Sequence, residues 1–372
     1  MPLLSAGLLI LFGIVFLIQL YFYLFRFGRV VAYKKPQGPP RPEVPVSIII
    51  SANNESQNLR RLLPRLLEQD YPNFEVLVID DRSTDYTHTW LEEEQKKDSR
   101  VRSLHIEHTP RHFTPKKYAL TMGVKHATHD VLLLTDADCQ PNSPYWLRDM
   151  AAKFETAGTQ INLGFSQYKK LPGFLNTFIR FETLFTGLLY IGAALARMPY
   201  MGVGRNLSYS KAFFMERKGF MSHKEVLSGD DDLFVNANAN KRNTVVTIGP
   251  ESLVYSNPKT SWDAWYKQKL RHMSAGKLYR AGSRTGLALF MLSHWLFWIT
   301  FVLLMSLWIE PYLVLGVFLV RTILLYYLLI QGSKKLGDSF QCWYLLLLDF
   351  LMMFYQLFVG ITALFTKQTK WK

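Results

Sequence analysis

From Leu3 to Phe25 the chain reads LLSAGLLILFGIVFLIQLYFYLF, a run without a single charged residue. It exceeds the roughly 20 residues a helix needs to cross a hydrocarbon core. Its flanks distinguish it from a cleaved leader: the basic residues Arg26, Arg29, Lys34 and Lys35 follow it rather than precede it, and no small-residue cleavage site closes it. The run is read as an uncleaved anchor, and the positive-inside rule then puts the N-terminus outside and the chain after Arg26 in the cytoplasm. Three further apolar stretches, Leu287 to Ile309, Tyr312 to Ile330 and Trp343 to Phe365, lie at the other end. Alternation places the link QGSKKLGDSF, with Lys334 and Lys335, on the cytoplasmic side. The same count puts the tail TKQTKWK outside, against the rule, which leaves a partial or re-entrant last segment open. Arg321 and Asp349 lie within these stretches, where a lone charge is costly. Two readings stay open for them: an ion pair, or a snorkelling Arg beside an Asp that faces a watery cleft.

Between the apolar ends lies a globular stretch, roughly Pro45 to Tyr279. RPEVPVSIIISA, FEVLVIDD and HDVLLLTDAD have the β-branched and aliphatic character of strands buried on both faces. NLRRLLPRLLEQD and KKYALTMGVKHA between them have helical periodicity. Such alternation predicts an α/β fold with a mostly parallel sheet, whose ligands bind at the carboxyl ends of the strands. The expected division is an anchor over 1–28, a cytoplasmic catalytic domain over 29–258, an interfacial amphipathic helix over 259–284, two to three transmembrane helices over 285–366 and a tail over 367–372. One stretch inside the catalytic part, GFLNTFIRFETLFTGLLYIGAALARMP, is apolar enough either to lie in the headgroup layer or to be a buried helix.

Composition narrows the function. Two Cys, Cys139 and Cys342, exclude a disulfide-built scaffold and have no partners at zinc spacing. The net charge of +14 could serve nucleic acid, but the basic residues cluster beside the apolar spans and the strand ends are acidic, so a membrane surface is the expected partner. The first strand run ends in Asn53, Asn54 and Glu55, the second in Asp80, Asp81 and Asp85, and the third in Asp136 and Asp138. Hard carboxylate oxygens suit Mg²⁺ or Mn²⁺. Arg111, Lys116 and Lys117 precede the third strand and offer cations for a phosphate, with Lys116 the first candidate. Asp230, Asp231 and Asp232 open a helical pattern, where acidic residues either complement the helix dipole or serve as a general base. WDAWYKQKLRHMSAGKLYR then sets Trp262, Trp265, Lys267, Lys269 and Arg271 just before a span.

In their order and spacing these segments resemble an inverting family-2 glycosyltransferase of the GT-A fold, the membrane-bound group of cellulose, chitin and hyaluronan synthases and ceramide glucosyltransferase. The resemblance covers about Val46 to Met273. It implies that Asn54, Glu55, Asp81, Asp80 and Asp85 hold the nucleotide. Lys116 meets the pyrophosphate, with Pro115 where the family has Gly, and Asp136 and Asp138 form the DxD pair, Asp138 ligating Mg or Mn. The general base falls on Asp230 when counted back from Leu233, and on Asp231 when the letters Gly-Asp-Asp are matched. Gly204, Arg205 and Asn206 correspond to a stretch near the acceptor. Gln268 and Arg271 match the Gln-x-x-Arg-Trp segment of polymerising members, while His272 stands where their Trp would stack on a sugar. The resemblance implies transfer from a nucleotide-sugar, a UDP-sugar being expected, to a membrane lipid in a bacterial inner membrane, with a processive polysaccharide synthase as the alternative. A transporter or non-catalytic scaffold that kept the fold is the rival of another class.

Overall fold

The computed structural model describes residues 2–35 and 43–365; the expected tail, 367–372, lies outside the described residues. Helix α1 (Pro2–Phe22) passes through a π-helical turn at Tyr23–Phe27 into α2 (Gly28–Val31). Then follow β1 (Val46–Ala52), α3 (Ser56–Leu67), β2 (Phe74–Asp81), α4 (Thr87–Lys97), β3 (Val101–Ile106), α5 (Pro115–His126) and β4 (Val131–Leu134). The four strands pair in parallel in the order β3-β2-β1-β4, with Ile49 of β1 opposite Leu77 on one side and Leu134 on the other. Every residue of β2 is buried, as a strand covered by helices on both faces requires.

The second half is more broken: β5 (Cys139–Pro141), α6 (Trp146–Ala151), β6 (Ile161–Leu163), β7 (Ser166–Tyr168), α7 (Phe174–Leu195), β8 (Leu207–Ser210), α8 (Lys211–Glu216), α9 (Asp232–Asn238), β9 (Thr244–Val246) and β10 (Val254–Ser256). Strands β8, β6 and β9 extend the sheet past β4, β8 running antiparallel to both of its neighbours, and β5-β10-β7 form a second, small sheet. The fold is α/β with a mostly parallel sheet. One sheet face packs on Leu59, Leu62, Leu63 and Leu66 of α3 and on Trp146, Leu147 and Met150 of α6. The other face is continuous with α5, α7 and the apolar helices that follow.

Those helices are α10 (Trp262–Ala275), α11 (Ala281–Ser306), α12 (Pro311–Lys335) and α13 (Leu345–Phe365). Helix α10 fills only the middle of the segment expected to be interfacial. Ser261 caps its start by accepting from Ala264 N at 3.3 Å. Arg280 N donates to Asn236 Oδ1 at 2.7 Å and holds the break after it, so α11 begins at Ala281, ahead of the expected boundary.

Among the described residues five helices, α7 included, are long and apolar enough to cross a membrane. Helix α7 is enclosed by protein on most of its surface. At Gly192 a Cβ would collide with the carbonyl of Arg26, so a side chain there would push α7 off the turn that ends the anchor. Of the two readings of that stretch, the structure displays the buried helix. It also displays the ion pair rather than the snorkelling arrangement for the two charges within the apolar helices: Arg321 Nη2 lies 3.2 Å from Asp349 Oδ1, with Trp298 Nε1 donating to Asp349 Oδ2 at 3.2 Å and Arg321 Nε donating to Gln19 Oε1 at 2.8 Å. Helix α13 crosses α11 in the opposite sense, Trp298 meeting Asp349 and His294 meeting Gln356. It lies along α10 through Trp265 with Tyr355 and Tyr266 with Phe358.

The loop between α12 and α13 is tied to the α/β part. Arg180 Nη2 of α7 reaches both oxygens of Asp338 at 2.9 Å, and Tyr255 donates to Asp338 Oδ1 at 3.3 Å. Both partners of the ion pair are buried. Removing one partner strands the other charge, so Asp338→Ala is expected to cost roughly 3 to 5 kcal/mol in thermal unfolding of the purified chain in micelles. Glu94→Ala, which breaks the surface pair with Lys97, is expected to leave the transition within experimental scatter.

Candidate active site

The carboxyl ends of β1, β2 and β4 open on one cleft, and their loops organise each other. Asn54 sits in the left-handed region at φ +57, where Asn is tolerated better than most residues. From there its Oδ1 accepts from Thr84 N at 2.7 Å and Asp85 N at 3.2 Å, while its own N–H donates to Ser83 Oγ at 2.9 Å. Asn54 thus builds the loop after β2 rather than projecting freely into the cleft. Asp85 does similar work, its Oδ1 accepting from Thr87 N at 3.0 Å. Glu55 is half-buried and accepts from Asn58 Nδ2 at 2.6 Å. Burial raises its carboxyl above the usual range, and the charges of Asp138 and Asp136 add to that rise, so it faces the DxD pair.

Asp80 is fully buried. Its Oδ2 lies 2.7 Å from His105 Nδ1 and 3.3 Å from His88 Nδ1. Neither histidine was singled out from sequence; the parallel register that sets Asp80 opposite His105 is the signal that finds the second. Asp81 is tied to Arg82, Nε to Oδ1 at 2.8 Å.

Pro115 starts α5 at a position where a missing N–H costs nothing, and Lys116 follows in the first turn. Its Nζ lies 3.1 Å from Asp136 Oδ1 and 3.1 Å from Asp230 Oδ2, bridging the end of β4 to the segment before α9. Burial works against its charge, but Asp136, Asp230 and Asp231 outweigh that and hold the ammonium well above its ordinary pKa. Lys117 points the other way, beneath the cleft, and Arg111 is exposed on the turn ahead of the helix.

Asp138 is crowded. Burial first, then the charge of Asp136, raises its carboxyl, and Arg205 partly offsets them. One ligand atom from each of Asp136, Asp138 and Cys139 lies within 4.8 Å of the others. Burial raises the Cys139 thiol well above its ordinary range, which makes the thiolate costly to form and leaves the two carboxylates as the readily ionised ligands. Two hard carboxylates whose mutual repulsion a cation would relieve fit Mg²⁺ or Mn²⁺ better than Zn²⁺.

Gly229, at φ +90, makes the turn that brings three aspartates to the cleft in three roles. Asp231 is occupied by backbone: Oδ1 accepts from Asp232 N and Oδ2 from Gly204 N, both at 2.7 Å, so it caps α9. Asp232 accepts from Tyr279 OH at 2.7 Å. Asp230 faces Lys116. Burial pushes all three upward, Asp231 to about 6 and Asp232 to about 8, but Lys116 and Lys117 bring Asp230 below its ordinary value. The geometry therefore separates Asp230 from the letter-matched alternative Asp231.

Arg205 lies over the Tyr168 ring at 4.5 Å, and its buried Nη1 has no hydrogen-bond partner among the described residues. Asn206 is placed differently from the expectation of an acceptor-side role. It is fully buried, donates to Phe165 O at 2.7 Å and Ser252 O at 2.8 Å, and accepts from Trp146 Nε1 at 3.0 Å. All its hydrogen-bonding capacity toward the cleft is spent beneath it. On α10, burial lowers Arg271 while Asp230 and Asp136 act to raise it, which puts its guanidinium within electrostatic reach of both. Gln268 has a buried Oε1 without a partner among the described residues, His272 is exposed, and Lys269 pairs with Glu182 of α7.

Residues 47–227 match the sequence profile described as Glycosyl transferase family 2. Among curated proteins the chain is similar to Probable glycosyltransferase YdaM of Bacillus subtilis, 23% identical over 239 residues, 61% of this chain and 54% of that one. It is also similar to the dolichyl N-acetyl-alpha-D-glucosaminyl phosphate 3-beta-D-2,3-diacetamido-2,3-dideoxy-beta-D-glucuronosyltransferase of Methanococcus voltae, 32% identical over 106 residues, 27% of this chain and 31% of that one. A third relative, the 4,4'-diaponeurosporenoate glycosyltransferase of Staphylococcus haemolyticus, is 30% identical over 102 residues, 27% of this chain and 26% of that one. The chain thus spans about half the length of the first relative and about a third or less of the other two. Among solved structures it superposes on the mannosyltransferase PcManGT from Pyrobaculum calidifontis, in complex with GDP-Man and Mn²⁺, with TM-score 0.61 and 18% identity, covering 89% of this chain and 98% of that one. Residues 47–227, just under half of the chain, are thus similar to glycosyltransferase family 2, on an α/β fold of the GT-A kind joined at both ends to helices apolar enough to cross a membrane.

Proposed function

We propose that this chain is a multi-pass membrane enzyme that transfers one sugar, with inversion, from a nucleoside-diphosphate sugar to a lipid acceptor. The observation that carries the reading is Lys116, whose ammonium lies 3.1 Å from both the DxD carboxylate Asp136 and the candidate base Asp230. That contact joins a phosphate-seeking cation, one carboxylate of the candidate cation-binding pair and a proton acceptor within one hydrogen-bond shell.

Asp138 and Asp136 would hold Mg²⁺ or Mn²⁺, which when bound supplies positive charge to the donor's diphosphate. The chain's own groups act around it. The loop of Asn54, Glu55, Asp80 and Asp81 seats the nucleotide. Asp230 takes the proton from the acceptor hydroxyl as that oxygen attacks the anomeric carbon. The bond from that carbon to the diphosphate oxygen breaks on the opposite face, which inverts the configuration. Lys116, leaving Asp230, and Arg271 meet the charge that develops on the departing diphosphate. Gln268, Arg205 and His272 line the acceptor side.

A lipid acceptor is supported by the welding of the catalytic part to the apolar helices and by two relatives whose names carry dolichyl N-acetyl-alpha-D-glucosaminyl phosphate and 4,4'-diaponeurosporenoate. The single sugar is supported by His272 at the place of a stacking Trp. Lys335 Nζ donates to the carbonyl of Tyr33 at 3.0 Å, so the basic ends of the anchor and of α12 meet. With Arg26, Arg29, Lys34 and Lys334 around them, that face is the cytoplasmic one, in a bacterial inner membrane. The test is product length. The purified chain, given Mn²⁺, radiolabelled UDP- or GDP-sugars and extracted lipids, is expected to yield an organic-soluble product carrying one sugar, with a UDP-sugar preferred. A ladder of longer products would instead mean processive synthesis.

A further inference from the structure

The segment that leads to the three aspartates, residues 224–228, has no regular structure of its own. After the short turn at Met221–His223 the backbone forms neither helix nor strand until α9 begins at Asp232. One side chain does most of the fastening. Lys117 Nζ donates to the carbonyls of His223 at 2.7 Å, Val226 at 2.6 Å and Ser228 at 2.8 Å. Next to it the backbone of the same helix entrance adds one more tie, Thr114 N to Lys224 O at 2.9 Å.

We infer that Lys117 is a positioning residue: its buried ammonium pins residues 223–228 so that Gly229 turns Asp230 into the cleft at the place where the acceptor hydroxyl must lose its proton. This rests on the reading of Asp230 as the base. Lys117 touches no reacting atom, because an ammonium has three N–H groups and all three are spent on carbonyls. Lys117 as a whole residue is 1% exposed, whereas the side chain of its neighbour Lys116 is 29% exposed. Consecutive helical residues point about 100° apart, which sends one lysine into the cleft and the other beneath it.

The arrangement also solves an electrostatic problem that donor binding creates. The charged and titratable groups facing Asp230 are Lys116 and Lys117 from α5, Asp231 and Asp232 from its own segment, His223, Tyr209 of β8 and Arg271 of α10. When Lys116 moves to the donor's diphosphate, its charge is shared with that anion. Lys117 cannot follow, since its carbonyl partners belong to the segment it holds, and it stays as the fixed cation under the base. Burial lowers Lys117 to about 8, with Asp230, Asp232 and Asp231 opposing that fall, so it is mostly charged at neutral pH.

The experiment compares the full-length wild type, Lys117→Met and Lys117→Arg in micelles, by amide hydrogen exchange without any substrate and by transfer kinetics across pH. In Lys117→Met, residues 223–230 are expected to exchange at least about tenfold faster than in the wild type. Its kcat is expected to fall about 100-fold with the donor KM within about threefold, and the acid limb of kcat to move to higher pH. Lys117→Arg keeps the charge, but a planar fork does not match three converging carbonyls. It is expected to keep the acid limb and lose part of both the protection and the rate; if the Met variant does not fold, Arg against wild type carries both readouts. Unchanged protection of 223–230 with kcat within twofold in the neutral or the Arg variant would overturn the proposal. A wild type that transfers from no donor would overturn the base reading instead, while the exchange comparison still decides whether Lys117 holds the segment.

Discussion

Asp230→Asn is expected to lower kcat for sugar transfer by about 10³-fold, within the 10² to 10⁴ that a positioned base supplies, with the donor KM changed less than about threefold. That corresponds to about 4 kcal/mol of lost transition-state stabilisation. The neighbouring Asp231→Asn should behave differently. Both Asp231 oxygens accept backbone N–H groups, from Asp232 and Gly204, so its substitution should appear mainly as about 1 kcal/mol of lost stability in thermal unfolding, the usual scale for a weakened cap. The pair of variants decides the register that three identical letters leave open. The pH dependence has a defined sign. Because Lys116 and Lys117 bring Asp230 below its ordinary value despite burial, the base stays ionised at neutral pH. For the free enzyme, which kcat/KM reports, the rate should fall only on acidification past the ordinary carboxylate range. Equal losses of kcat in both variants, or a loss confined to Asp231→Asn, would contradict the assignment.

The second large effect is expected at Asp138. Asp138→Ala should abolish the dependence of transfer on added Mn²⁺ or Mg²⁺ and reduce kcat/KM by about 10³-fold or more, since the charge that balances the leaving diphosphate is lost. Chelation of the wild type with EDTA should reproduce the loss, and readdition of the metal should restore activity in the wild type only. The environment of Asp138 gives a finer expectation. Burial and Asp136 raise its carboxyl, so metal competes with a proton, and half-saturation should require more metal as the pH falls. Transfer by Asp138→Ala with undiminished metal dependence would move the metal site elsewhere.

The parallel half of the sheet is legible because strands buried on both faces read as nearly continuous apolar runs: Val46 to Ala52, Phe74 to Ile79 and Val131 to Leu134, broken only by Ser47, Ser51 and Glu75, need no tertiary context to be recognised. The later strands, β6 to β10, span three or four residues each, too few for periodicity to register, and their pairing depends on neighbours distant in sequence. Helix α7 was ambiguous for a physical reason. A helix apolar all round suits either lipid or a protein interior, and only the closeness of Gly192 to Arg26 and of Gly332 to Leu188 shows which side chains cover it. The acidic strand ends could be found from sequence because a carboxylate just past a buried strand has no place in the core. Their division of labour could not. The second oxygen of Asp231 is occupied only because Gly204 N arrives from 27 residues upstream, and Asn206 is structural only because Trp146, Phe165 and Ser252 converge on it. Lys116 and Lys117 differ by helix phase alone, which a pair of adjacent identical letters conceals.

The measurement that tests the reading most directly is a single-turnover assay on the purified full-length chain in a lipid bilayer disc, with Mn²⁺, a labelled nucleotide-sugar and extracted lipid. Transfer by inversion predicts one nucleoside diphosphate released per sugar moved, a single sugar on the lipid with anomeric configuration opposite to the donor's, and loss of both in Asp230→Asn and Asp138→Ala variants that fold as the wild type does. Retained configuration, or lipid-dependent turnover that survives in either variant, would contradict it.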